Sequence, residues 1–181
     1  NASTIEWLSD HGLVNVIWRE TDAEQEKRKL VEAAKKSKVN NTDLEQLLPQ
    51  RRAFVRAEDE AAFKLVRGVI LDGNLDITHP LGYGYSDEQL PTFRRNNRFM
   101  ARSENAYSTP LLYSANPLMS GYMSIENQNL AAESAGLIVD ANGSGAFVLS
   151  LDNPSFRAFW WGSRRILLNA IFFGDLLEEP R

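Results

Sequence analysis

Apolar positions along the chain recur sometimes every three to four residues and sometimes every second residue, so helices and strands intermix from end to end. Ile5, Trp7 and Leu8 follow Ser3 and Thr4, either of which can cap a short helix ending near Gly12. "LVNVIW" (13–18) reads as a short strand. "TDAEQEKRKLVEAAKKSK" opens with a capping box, Thr21 with Glu24, and its acids precede its lysines as the helix dipole favours. Its apolar residues are few, which predicts one weakly buried side. A second capping-box pattern, Thr42 with Glu45, opens "TDLEQLL" and stops at Pro49.

"RAEDEAAFKLV" (56–66) predicts a short helix whose first turn carries Glu58, Asp59 and Glu60. In "GVILDGNLDI", Val69, Leu71, Leu75 and Ile77 share one face at period two, with Asp72, Asn74 and Asp76 opposite, the pattern of a half-buried strand. "THPLGYGY" is a loop punctuated by Gly and Pro, and "TFRRNNRFMA" and "STPLLYS" are strand-like. Ser124 caps a helix over "IENQNLAAE". Two apolar runs around Asn142-Gly143 predict a β-hairpin. After a loop at Asp152-Asn153-Pro154, "RRILLNAIFF" predicts a helix capped by Ser163 and ended by Gly174. Ile166, Leu167, Ala170, Ile171 and Phe173 or Phe172 cover so much of that helix that near-complete burial is expected, with Asn169 needing a backbone partner. The mixture predicts one layered α/β domain over 1–181.

Composition narrows the function classes. A formal net charge of −4 disfavours a nucleic-acid partner, which leaves a basic footprint. The chain has no cysteine, which removes disulfides, thiolate metal sites and a Cys nucleophile together. No apolar run reaches the roughly 18 residues of a membrane span.

Candidate chemistry is sparse. The two histidines are His11, beside a helix C-terminus, and His79, ahead of Pro80 in the Gly-rich loop. His79 is placed to bond loop backbone or to border a cleft. No His-x-x-Glu or His-Glu-x-x-His pair exists for zinc, and no Gly-x-Ser-x-Gly turn for a nucleophilic serine. "GYGY" lacks the spacing of a dinucleotide fingerprint. Arg157, Trp160, Trp161 and Arg164 gather near the C-terminus. Exposed on a basic face they would stack bases or sugars; half buried they would close the core, the reading that an acidic chain with an apolar helix favours.

"VLSLDNPSFRAFWWGSRRILLNAIFFG", with "LDITHPLGYGY" and "NPLMSGYMS" before it, resembles the C-terminal region of bacterial zinc carboxypeptidases of the M14 family. Those proteins carry a domain similar to class I glutamine amidotransferases after the peptidase domain. The resemblance runs from about Ala2 to Gly174. It implies a flavodoxin-like α/β sandwich with a C-terminal β-hairpin and helix, shorter than a complete domain of that kind, with sheet strands missing or supplied by another chain. It also implies a zinc-bearing peptidase domain upstream as partner, and a secreted or periplasmic setting. The family's zinc ligands and catalytic residues have no matching motif in this chain, so no catalytic, cofactor or metal residue is carried over. Without cysteine the domain is no glutaminase of the amidotransferase kind.

Three functions follow as expectations. The first is a non-catalytic accessory domain of a metallocarboxypeptidase, with an apolar patch where its neighbour docks and where a homodimer forms in its absence. The second is a small hydrolase built on His79. The third is a sugar- or nucleic-acid-binding module built on Trp160, Trp161 and the arginines.

Overall fold

The structure, a computed structural model, describes residues 2–21, 24–25, 28–29, 51–143, 145–158 and 160–177. These fall into two compact units, Asn1–Arg19 with Leu65–Arg181, and Glu20–Lys64.

In the first unit the helices α1 (Ala2–Asp10), α3 (Ile125–Ala131) and α4 (Trp161–Phe172) accompany seven strands. The strands are β1 (Trp18–Arg19), β2 (Val69–Leu75), β3 (Gln89–Arg94), β4 (Phe99–Met100), β5 (Leu111–Ser120), β6 (Ala135–Asn142) and β7 (Gly145–Ser150). They form one sheet in the order β1-β4-β6-β5-β2-β3, with β7 paired to β6. Every pairing among the described residues is antiparallel. The domain is therefore mixed α/β, but its sheet differs from the parallel, helix-crossed sheet of a flavodoxin-like sandwich. A long loop over 76–88 joins β2 to β3 and a tight turn joins β6 to β7, neither of them a helical crossover.

The predicted hairpin forms with Asn142 opposite Gly145, and Gly143 turns the chain at φ 62°. Ser124 caps α3 by accepting from the Asn127 N–H at 3.3 Å. In β2 the period-two reading holds for Val69, Leu71 and Leu75, all buried, but the strand ends at Leu75, so Ile77 lies outside it and is partly exposed. Residues 13–17 are mostly coil rather than a strand, although Val14 and Val16 are buried. Helix α1 starts at Ala2, so Ser3 and Thr4 sit inside it; it ends where Gly12, at φ 67°, lets the Leu13 N–H reach back to the Leu8 carbonyl.

The sheet curls. In a flat sheet the order β7-β6-β5-β2-β3 would separate its outer strands by about 19 Å, four spacings of ~4.8 Å. Instead Asn96, just past β3, donates to the Leu151 carbonyl, just past β7, at 2.8 Å. Side chains of Leu75, Leu90, Leu111 and Leu137 from four strands meet Ile166 of α4. Over β6 and β7, Ile138 and Leu149 pack against Ile5 and Val14.

The second unit contains α2 (Ala57–Lys64), whose first turn carries Glu58, Asp59 and Glu60 as predicted. The Thr21–Glu24 capping box is present: the Thr21 N–H donates to Glu24 at 3.0 Å, and the Glu24 N–H to the Thr21 hydroxyl at 3.3 Å. Ion pairs join Arg28 to Glu20 at 3.2 Å and Arg52 to Glu60 at 2.6 Å. The Thr42–Glu45 box and Pro49 lie outside the described residues.

Candidate functional site

The Gly- and Pro-punctuated loop and the C-terminal helix meet. "THPLGYGY" folds as a loop with a 3-10 turn at Pro80–Gly82, and α4 lies against it. Asn169, buried on α4, donates both amide hydrogens into the loop, to the Leu81 carbonyl at 2.8 Å and the Tyr83 carbonyl at 2.9 Å. Arg165 donates to the Gly84 carbonyl, and the Tyr85 hydroxyl donates to the Gly162 carbonyl at 2.6 Å. Gly82 is obligatory: a Cβ there would lie 2.3 Å from the Asp76 carbonyl oxygen. Asn169 thus has the backbone partners its burial demands, drawn from the loop.

His79 caps the 3-10 turn. Its Nδ1 accepts from the Leu81 N–H at 3.1 Å, which requires an unprotonated Nδ1. Burial lowers its pKa below the usual 6.5, and nearby Asp76 partly opposes this. Its Nδ1 is thereby engaged in capping the turn, and among the described residues no hydrogen bond joins its ring to a hydroxyl. His11 stacks on Trp7, centroids 4.1 Å apart, and its Nδ1 lies 2.8 Å from the Trp7 carbonyl at the end of α1.

The aromatic–arginine cluster divides. Trp160 is half buried and its Nε1–H donates to the Pro91 carbonyl at 3.3 Å. Trp161 is 70% exposed, with the Arg164 guanidinium 4.4 Å over its ring. Arg157 is exposed, 5.3 Å from the Phe156 ring, in a kinked turn where it and Ala158 both have positive φ. The two indoles therefore form no common platform.

Helix α4 departs most from expectation. Ser163, Ile166 and Asn169 are its buried residues, a narrow stripe at a spacing of three. Trp161, Leu167, Leu168, Ile171 and Phe172 are exposed, Phe172 at 76%. The helix begins at Trp161 without a side-chain cap, and Ser163 instead donates to the Pro154 carbonyl at 2.9 Å. The sequence composition cannot separate a helix engulfed by its own domain from one that keeps a second apolar face outward, because both need the same residues.

A buried polar cluster lies where β3 approaches the end of β7. Arg94, 0% exposed, donates from Nε to Asp152 at 2.8 Å, from Nη1 to the Arg98 carbonyl at 2.9 Å, and from Nη2 to the Tyr113 hydroxyl at 3.3 Å. Tyr113 in turn donates to Asp152. The guanidinium also lies over the Phe99 and Tyr113 rings. Burial works against the Arg94 charge, but Asp152 and Tyr113 outweigh it and hold the group above its ordinary pKa; burial pushes the Tyr113 hydroxyl far above its usual 10. Sequence reasoning missed this cluster. Its one signal was parity, since Leu90, Thr92 and Arg94 alternate onto the inward face of β3.

No group of three or more His, Asp or Glu side chains is placed to hold a metal ion among the described residues, and no helix among them is long and apolar enough to cross a membrane. Compared with family models, with curated proteins and with solved structures, the chain matches none.

Proposed function

We propose that this chain is an accessory domain, without catalytic residues of its own, that packs against a larger partner domain, and that the partner is a zinc carboxypeptidase of the M14 type encoded upstream in the same protein. The observation that carries the packing role is the outward face of α4. Trp161, Leu167, Leu168, Ile171 and Phe172 form a row of large apolar groups on a helix whose opposite side is already fixed to the loop. Contiguous apolar surface of this kind on a domain marks a contact with another protein surface.

The peptidase assignment rests on the quoted C-terminal motifs. The flavodoxin-like part of the resemblance gains no support from the antiparallel sheet, so the proposal leans on the joined loop and α4 instead. Zinc would then belong to the partner domain, and the role of this domain is to position or stabilise it. The reading frame upstream of Asn1 in the source genome tests the assignment. A frame encoding His-x-x-Glu and a distant His supports it; a start codon or an unrelated domain removes the peptidase and leaves a packing domain of another system.

A further inference from the structure

Strand β7 has an unused edge. The Val139 N–H donates to the Ser108 carbonyl on the β5 side of β6, so Val139 and its opposite residue Val148 exchange no bonds across the β6–β7 pair. Alternation then turns the N–H and C=O groups of Val148 and Ser150 away from β6, and none has a partner among the described residues. The strand, "GAFVLS", carries neither a charge nor a proline to block pairing. The other long edge is treated differently: β3 has Pro91, whose carbonyl is occupied by Trp160.

These outward groups line an open cleft of about 620 Å³ between the ends of β3 and β7, together with Phe93, Arg95, Asp152 and Phe156. An extended residue in a sheet occupies roughly 160 Å³, from ~3.3 Å of rise, ~4.8 Å of strand spacing and ~10 Å of sheet depth, so the cleft holds about four. Its charge is one-sided. Arg94 and Tyr113 already engage Asp152, whereas Arg95, which lines the cleft and lies over Phe156, has no carboxylate partner among the described residues.

We propose that this cleft binds an extended peptide segment carrying a carboxylate, which pairs with β7 as an added strand and sets its acidic group against Arg95. Backbone pairing supplies the orientation, and the apolar walls of Phe93, Val148 and Phe156 favour an uncharged side chain between the paired positions. The site is distinct from the α4 face and stands whatever the upstream domain is.

The test uses an acetylated hexapeptide of alternating threonine and valine that ends in glutamate with a free carboxyl group. Titration to about 1 mM, where weak binding remains measurable, is followed by amide shifts and hydrogen exchange of the whole chain. Binding that slows exchange at Val148 and Ser150 supports the proposal. So does a loss of about tenfold in affinity in Arg95→Glu and with the amidated glutamine peptide. Val148→Pro removes an outward N–H without touching the β6 ladder and should abolish binding; Arg95→Glu, on an exposed side chain, keeps the test decisive if the proline variant misfolds. No shift at the highest concentration, shifts confined to α4, or a self-associated chain whose dimer is lost in Val148→Pro would each overturn it.

Discussion

The Arg94 guanidinium, at the end of β3, lies 2.8 Å from Asp152, the second residue past β7, and both side chains are almost fully withdrawn from water. This ion pair and the Asn96–Leu151 bond beside it join two strands that stand at opposite sides of the β7-β6-β5-β2-β3 order. It fixes the curl of the sheet, and its Asp152 lines the cleft. Removing one partner leaves the other charged and buried. Asp152→Ala should cost about 3–5 kcal/mol, read from the midpoint of urea unfolding. A loss under about 1 kcal/mol, the range of exposed pairs, would mean that water reaches Arg94.

Asn169 should matter through the loop it holds. Asn169→Ala removes two donors from the Leu81 and Tyr83 carbonyls, at an expected cost of about 1–3 kcal/mol. Asn169→Asp should be worse, since a carboxylate would face two carbonyl oxygens with nothing to donate. Hydrogen exchange should quicken from Gly82 to Tyr85 before it changes in β2. Uniform acceleration across the sheet would show that the loop is not a separate unit of stability.

Much of the element order was legible because it depends on local chemistry. The β6–β7 hairpin followed from Asn142-Gly143 between apolar runs, the α3 cap from Ser124, and the end of α1 from Gly12. The antiparallel pairing was not legible, because a period-two run such as 69–75 states which face is buried and not which neighbour it joins. Arg94 and Asp152 are 58 residues apart, and neither one's surroundings in sequence point to the other. Trp160 and Trp161 are adjacent, yet one is tied to Pro91 and the other faces solvent; a kinked turn decides between them.

His79 gives stability a pH dependence with a definite sign. Its folded pKa lies below the unfolded value of 6.5 because burial disfavours the charge, and its Nδ1 must stay unprotonated to accept from Leu81. Above about pH 6.5 both states are neutral and the contribution is fully present. As pH falls through that value the unfolded chain takes the proton first, so stability declines until the folded pKa is passed, then levels off. Asp76, lowered chiefly by the Thr78 hydroxyl, acts in a separate window below its ordinary 3.8. Thermal unfolding followed from pH 8 to pH 5 should show the decline. It should be reduced in His79→Asn, which keeps an acceptor for the turn but cannot titrate. An unchanged slope in that variant would assign the effect to another group.

The two sides of α4 should respond oppositely to substitution. Ile166 is 4% exposed and meets Leu75, Leu90, Leu111 and Leu137, so Ile166→Ala should cost about 2–5 kcal/mol. Ile171 and Phe172 are 69% and 76% exposed, so Ile171→Asp and Phe172→Asp remove little packing within the domain and should stay within about 0.5 kcal/mol of the parent chain. Both aspartates should reduce binding of a hydrophobic dye and weaken association with the partner domain. A large loss of stability in Phe172→Asp would place that ring inside the fold, and α4 would then cease to be a docking face.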